Sequence, residues 1–457
     1  MREIEFSADK LVECLLDLSE REPVCLLDSC GISNLGSHLL IAGIRPLETF
    51  EITNQNADQT LEFLDEKFSN SGLAYIFSVS YDFGLKLEKI RPRRKEISSF
   101  PESDVFLAGF DCLIVHDYDT GKTRLTGNDE RFDEIEKTLI DNTKTELNQE
   151  DAEHRDVFIV SNFTRENYIK TVETIQERIR RGDTYQTNLT QRLRARLPVN
   201  LTAQKIFRRL RNAHPAPFAA FLKRKNDYVV SISPERFLKV GNEKWKTENG
   251  NHSNLDQTIS VSPVKGTRPR GKTVDEDLIL KNELLTSEKD LAENTMIVDL
   301  LRNDIGRICE FGSVEVEKLC DLETHPTLFH LVSTIKGKLL ENIKFTDILK
   351  AVFPCGSITG APKISTMRII DELETSNRGL SMGAIGYAIP NFKFQIPNSV
   401  DLNVAIRTMV VRNGEAVFNV GGGIVIDSVP EDEYEETLLK ARALLQALGV
   451  NEKPIFK

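Results

Sequence analysis

The chain is poor in several features that would assign it to a specialised class. Its seven cysteines are odd in number and scattered through 457 residues, with no Cys-x-x-Cys pair and no Cys/His spacing suited to a metal. A disulfide framework is therefore not expected, and the usage suits a reducing cytoplasm. Long hydrophobic runs are missing. The longest stretch without Asp, Glu, Lys or Arg is the 16 residues Ser29–Ile44, which include Asn34 and His38. That is too short and too polar to span a bilayer. The start, Met1-Arg-Glu-Ile-Glu5, lacks the apolar core of a signal peptide, so a cytoplasmic protein with no membrane partner is expected. Basic excess is missing too. Lys and Arg number 59 against 70 Asp and Glu, a net charge of −11, which argues against a nucleic-acid partner.

What remains is ordinary globular composition. Forty per cent of residues are hydrophobic and 28% charged, enough for a large core. The most acidic segment, Asp129–Asp156, holds 11 acids and 4 basic residues. Its Phe132, Ile135 and Leu139 predict one amphipathic helix, followed by a solvated connector. This places a boundary near residue 150, with an N-terminal region over 1–150 and a second unit over 151–457. Leu39–Ile44, Tyr75–Val79 and Cys112–His116 read as strands, and Asn56–Phe68 as a helix. In Thr164–Arg181 the apolar Tyr168, Val172, Ile175 and Ile179 recur at helical spacing, with Thr164 as cap and Gly182 as stop. Thr184–Leu197 alternates, so Gln186, Asn188, Thr190 and Arg192 share one polar face of a strand, either solvated or lining a site. Asn413-Gly414 predicts a type I′ hairpin. Helices are expected at Ser287–Asp304, Pro362–Glu374 and Pro430–Leu448. The pattern is α+β with mostly antiparallel sheets.

Several residues carry chemical meaning in this frame. Gly421-Gly422-Gly423 follows the strand Phe418–Val420; it is either a tight bend or a place where backbone N–H groups meet an anion. Phe353–Lys363 is a small-residue loop running into a helix with Pro362 as its first residue, and it is not a P-loop, because Gly360 is followed by Ala361. Lys265 is either an exposed turn lysine or, if burial or a cation lowers its pKa, a nucleophile. Glu235 is either half of a surface Glu–Arg pair or a general acid. Glu293 and Glu436 are separated carboxylates that would suit Mg²⁺, while Glu431–Glu433 read as partners of a helix dipole. Arg407 is either solvent-facing or placed to grip a carboxylate. His330 is either a core histidine or a catalyst.

Taken together, these segments resemble the chorismate-utilising enzyme family. The matching stretches are Tyr185–Gln191, Ser233–Phe237, Pro263–Thr267, Ala292–Gly306, His330–Thr334, Gly356–Lys363, Ile385–Tyr387, Ile406–Thr408 and Gly421–Ser428, in the family's order. The N-terminal part matches more loosely, through Leu26–Ser29. The resemblance implies two packed, mainly antiparallel sheets with helices outside, in one large unit. Isochorismate and salicylate synthases carry Lys where this chain has Gln186, and an amide cannot activate water as a base. Ammonia is then the implied nucleophile. Anthranilate synthases carry Ala where this chain has Lys265, whereas members that aminate chorismate at C4 carry Lys.

The resemblance therefore implies formation of 4-amino-4-deoxychorismate, on the way to para-aminobenzoate and folate. Lys265 would attack C2, Glu235 would protonate the departing oxygen, and His330 would lie near the ring. Gln186, Gly266, Thr267, Tyr387, Arg407 and Gly421–Gly423 would hold the substrate, and Glu293 and Glu436 would hold Mg²⁺. Ammonia would come from a separate glutamine amidotransferase, because the chain has no Gly-x-Cys-x-Gly nucleophile motif. Relatives of this type can hold tryptophan at positions comparable with Ser29, Gly36, Ser37, His38, Leu39, Pro217, Phe218 and Ala219. The alternatives are an anthranilate synthase component I and, from another class, a non-catalytic tryptophan-binding subunit. The chain departs from the family pattern at Cys355 and Phe329. It also departs in the long spacing between Glu235 and Lys265, read as an exposed loop over Gly241–Ser260 around the sole tryptophan, Trp245.

Overall fold

The protein is described from a computed structural model, over residues 1–33, 38–93, 102–142, 157–244, 255–324, 328–389 and 398–450. Two antiparallel sheets carry the fold. The larger runs Arg2–Ile4, Lys122–Gly127, Cys112–Asp117, Leu39–Ile44, Val24–Asp28, Phe218–Lys223, Tyr228–Ser233, Thr408–Arg412, Glu415–Ile424, Gln186–Arg196 and Gly360–Ala361, with Phe158–Ser161 also pairing to Gln186–Arg196. The smaller runs Val264–Pro269, Leu328–Lys338, Leu255–Ser262, Arg236–Lys244, Asn398–Val404, Ala384–Ala388, Ala74–Val79, Val105–Phe110 and Glu48–Ile52, with Glu315–Thr324 pairing to Leu328–Lys338.

Side-chain alternation builds three apolar layers. Cys25, Ile41, Ala220, Leu222 and Val229 of the larger sheet meet Ile76, Phe106, Ala108 and Ile385 of the smaller. The neighbouring residues Leu26, Leu40, Phe221 and Val230 point the opposite way, into helices on the outer face. Tyr75, Phe77 and Leu107 do the same on the smaller sheet. The period of two along each strand thus supplies both an inner core and an outer one.

The acidic Asp129–Asp156 segment begins as expected, with the helix Phe132–Asn142 burying Phe132, Ile135 and Leu139. The expected boundary at 150 lies outside the described residues. Each sheet, however, takes strands from both sides of it, so residues 1–142 form no separate sheet. The helix caps follow local chemistry: Asn56, Thr164 and Ser287 each accept a backbone N–H through the side chain. Asn413 and Gly414 have φ of 50° and 74°, as the type I′ turn requires.

Three expectations change and one open alternative is decided. Gly421–Gly423 do not follow a strand but lie inside Glu415–Ile424. Pro362 is the cap before the helix Lys363–Leu373, not its first residue. The polar face of the strand Gln186–Arg196 is not solvated: Gln186, Asn188 and Thr190 are all buried. The spacing before Lys265 is taken up in part by a β-hairpin, since Arg236–Lys244 and Leu255–Ser262 pair with each other; Trp245 lies outside the described residues.

Candidate active site

Lys265 is placed by a bulge. The strand Val264–Pro269 pairs Lys265 with Leu331 and Thr267 with His330, and the register shifts at Gly266 between them. Gly266 has φ +78°, and a Cβ there would stand 2.9 Å from Leu284 and 3.1 Å from Asp290. Only glycine fits, and the bulge re-aims Lys265 inward. Its Nζ donates to Glu293 Oε1 at 2.8 Å and to the carbonyl of Ser357 at 3.2 Å. The expectation of an exposed turn lysine is therefore overturned. The condition for a nucleophile is not met in this state either. Burial works against the ammonium, but the charge of Glu293 and its hydrogen bond outweigh it and hold the lysine above its usual range.

Glu293 sits on the helix Glu288–Gly306. The next residue, Asn294, fixes that helix to the strand Leu328–Lys338 by donating to the Leu331 carbonyl at 3.3 Å and accepting from Ser333 Oγ at 2.5 Å. Burial raises the Glu293 carboxyl, but Lys265 and a 2.5 Å hydrogen bond from Gln186 Nε2 bring it below the ordinary value. Gln186 Oε1 is buried without a partner. His330 is buried, and its Nδ1 lies 2.9 Å from Thr267 Oγ1.

Glu235 is buried and is not half of a surface ion pair, because the adjacent Arg236 bonds Asp401 at 2.9 and 3.0 Å instead. Its backbone is pinned between strands, with Val404 N–H donating to its carbonyl at 3.0 Å. Its Oε1 accepts from Ser357 Oγ at 2.7 Å. Burial pushes this carboxyl up, opposed by Ser357 and then by the Lys265 charge. A carboxyl held high in a buried site is suited to giving up a proton.

The glycine strand forms the floor. Thr408–Arg412 covers its edge only as far as the pair Met409–Phe418. Beyond that, Asn419 N–H bonds Ser381 Oγ and the Gly421 carbonyl accepts from Lys440 Nζ at 3.1 Å. Ladder parity turns the N–H groups of Gly421 and Gly423 to the same open edge. A Cβ at Gly423 would run into Gln186 Nε2 and stand 2.9 Å from Glu293 Oε1; one at Gly422 would stand 3.2 Å from Glu433 Oε2 and 3.5 Å from Glu436 Oε1. Carboxylate oxygens are the donors a hard cation such as Mg²⁺ takes, and Glu293 and Glu436 lie against the adjacent residues Gly423 and Gly422 of this strand. In this state two ammonium groups hold them, Lys265 on Glu293 and Lys440 on Glu436 at 2.6 Å. Among the described residues, no group of three or more metal-ligating side chains is preassembled.

Arg407 lies at a strained φ of +48° with no ion-pair partner among the described residues, and burial lowers its pKa. The residue is half-buried, and an unpaired guanidinium with restricted access to water is costly unless something anionic arrives.

Tyr387 lines a cavity between the sheets together with Leu27, Asp28, Ser29, Leu39 and Pro217–Ala219. The position on its strand decides this, since Ile385 and Tyr387 point into the inter-sheet layer. His38 is not on that lining; its ring stacks on Tyr118 and its Nδ1 meets Asp119 at 2.7 Å. Gly36 and Ser37 lie outside the described residues. Sequence reasoning gave no role to Ser357 or Lys440. The latter was legible as a lysine four residues after Glu436 on a helix. Glu433, read as a dipole partner, is buried and accepts from Ser428 Oγ at 2.6 Å.

Residues 23–446 match the model of the family described as chorismate binding enzyme. The chain belongs to that family. Among relatives of this chorismate-binding enzyme, the aminodeoxychorismate synthase component 1 of Bacillus subtilis is 32% identical over 436 residues, covering 93% of this chain and 87% of that protein. A probable chloroplastic aminodeoxychorismate synthase of Oryza sativa is 35% identical over 457 residues, but this chain spans only 48% of its length. The crystal structure of anthranilate synthase component I from Streptococcus pneumoniae superposes with a TM-score of 0.75 at 29% identity, over 90% of this chain and 93% of that one. No helix among the described residues is long and apolar enough to cross a membrane.

Proposed function

We propose that this chorismate-binding enzyme is an aminodeoxychorismate synthase component I, which replaces the C4 hydroxyl of chorismate with an amino group. The observation that carries the reading is the placement of Lys265 Nζ between Glu293 and Ser357, with Glu235 bonded to that same serine. Arg407 and the Gly421 and Gly423 amides receive the substrate carboxylates. Magnesium held by Glu293 and Glu436 would neutralise a substrate carboxylate. A Glu293 carboxylate occupied elsewhere no longer stabilises the Lys265 ammonium, and the lysine can then lose its proton.

The neutral amine of Lys265 forms a bond to C2, the ring double bonds shift, and the C4–O bond breaks. Glu235 gives its proton to the departing oxygen, which leaves as water. Ammonia then bonds C4, and the C2–N bond breaks with its electron pair returning to Lys265. The ammonium formed at C4 sheds a proton, and Glu235 is reprotonated. The enolpyruvyl ether is untouched. Gln186, an amide at every pH, offers no base for water in this scheme.

The component 1 relatives support an external ammonia donor, a glutamine amidotransferase subunit. Chorismate, Mg²⁺ and ammonium salt should yield para-aminobenzoate only when a separate lyase is added. Anthranilate fluorescence with pyruvate release and no added lyase would transfer the reading to anthranilate synthase, and no product of either kind would favour a non-catalytic subunit.

The inter-sheet cavity supports a tryptophan site as part of the same proposal. Ser29 Oγ lies on that cavity and is buried without a partner, whereas the Asp28 carboxylate is held by Arg211, Tyr118 and the Cys30 N–H. Calorimetric titration with L-tryptophan should give saturable heat that Ser29→Ala weakens; a flat titration would remove tryptophan from the account.

A further inference from the structure

The loop from Phe353 to Lys363 borders the strand Gln186–Arg196 on the edge away from the glycine strand, through the pairing of Gly360–Ala361. Within it, Gly356–Ile358 is one turn of 3₁₀ helix packed on the helix Glu288–Gly306, where a Cβ at Gly356 would stand 2.6 Å from Leu300. That packing holds Ser357 in the interior. Its hydroxyl lies 2.7 Å from Glu235 Oε1 and 3.3 Å from Cys355 Sγ, while its carbonyl accepts from Lys265 Nζ at 3.2 Å. One residue thus touches the proposed acid with its side chain and the proposed nucleophile with its backbone.

A serine hydroxyl has a single hydrogen, and an ionised carboxylate can only accept. With Glu235 ionised, that hydrogen belongs to Glu235, so the Cys355 thiol must be the donor to Ser357 Oγ. Burial first and the Glu235 charge second push the thiol up to about 12, so it keeps its hydrogen at neutral pH. With Glu235 protonated the chain reverses: Glu235 donates to Ser357 Oγ and Ser357 to the Cys355 sulfur. The sulfur is a weak partner in either role, so it orients the hydroxyl without locking it.

We propose that Ser357, oriented by Cys355, is the positioning residue of the general acid, holding Glu235 Oε1 by a hydrogen bond that survives both gain and loss of the proton. The proposal rests on the reading of Glu235 as the acid that protonates the departing oxygen. The groups facing Glu235 are Ser357 and Cys355 from this loop, Lys265 and the Val264 N–H from the adjoining strand, and Lys440 from the C-terminal helix. Ser357 heads the influences that oppose burial at Glu235, so its removal should raise the carboxyl further.

The test compares wild type with Ser357→Ala, Ser357→Thr and Cys355→Ala. The first readout needs no turnover: infrared titration of the Glu235 carboxyl band, assigned by its loss in Glu235→Gln. The midpoint should move up by about one pH unit in Ser357→Ala, return to near wild type in Ser357→Thr, and move less in Cys355→Ala. The second readout is amination. There kcat should fall about 10- to 100-fold in Ser357→Ala with KM for chorismate little changed. The limb of the pH profile that Glu235 governs should shift upward with the infrared midpoint, and threonine should restore both. An unmoved midpoint in folded Ser357→Ala, or no rescue by threonine, would overturn the proposal. Should Ser357→Ala fail to fold, an unmoved midpoint in Cys355→Ala does so. A wild type that forms no aminodeoxychorismate while the midpoint still shifts would instead overturn the functional reading on which the proposal stands.

Discussion

Replacing Lys265 with alanine is expected to abolish amination of chorismate, with kcat falling on the order of 10³-fold or more. The size of the effect follows from the position of this side chain. Among the described residues it is the only lysine bonded both to Glu293 and to the serine that holds Glu235, while Lys440 is bonded to Glu436 instead. The loss should appear in kcat. Chorismate would still be received by Arg407 and the glycine amides, and its dissociation constant should change far less than the rate. Arginine at 265 would keep the charge and not the nucleophile, because a guanidinium does not deprotonate in this range. Lys265→Arg should therefore be as inactive as Lys265→Ala. Substantial turnover in either variant would remove the covalent step. The pH dependence has a defined sign. In the free protein Glu293 holds Lys265 above its usual range while Glu235 is a carboxyl, so kcat/KM should rise with pH until Glu235 ionises and fall only where the amine is freed.

The second large effect pulls function and stability in opposite directions. Arg407→Met should weaken chorismate binding about 10²- to 10³-fold, the worth of two charge-assisted hydrogen bonds at about 1.5–3 kcal/mol each, discounted for imperfect geometry. The same substitution should raise the melting temperature of the free protein. It removes a half-buried cation that has no ion-pair partner among the described residues and whose pKa is depressed by burial. Calorimetry with chorismate and thermal unfolding without it would read the two effects separately. A variant that binds normally, or one that is destabilised when free, would show that Arg407 has a structural partner and is not the carboxylate receptor. Most arginine deletions lose stability, so a gain would distinguish a site built for an absent anion.

Much of the local structure was legible because it depends on neighbouring residues. The caps at Asn56, Thr164 and Ser287, the Asn413-Gly414 turn and the buried stripe Phe132, Ile135, Leu139 need nothing beyond a few positions along the chain. The site residues Lys265, Glu235, Glu293 and Gln186 were legible through motif resemblance, and the fold brings them together as expected. What failed depends on the partners a strand acquires. The polar face of Gln186–Arg196 could be solvated or buried, and the helix carrying Glu374, whose carboxylate bonds Thr190, decides it. The surroundings of Tyr387 were not legible either, since parity on Ala384–Ala388 turns it into the inter-sheet cavity. Gly421–Gly423 looked like a bend, since nothing local says that a strand continues through three glycines. Ser357 was invisible because a serine in a small-residue loop has no signal until Glu235 is known to sit 2.7 Å away.

The most direct test of the account is the mass of the protein after brief mixing with chorismate and Mg²⁺ in the absence of ammonia. The account predicts an adduct equal to one chorismate less one water, mapped to the peptide carrying Lys265 and discharged to 4-amino-4-deoxychorismate when ammonium is added. Unmodified protein, or an adduct on another residue, in a preparation that forms the product once ammonium is supplied would contradict it.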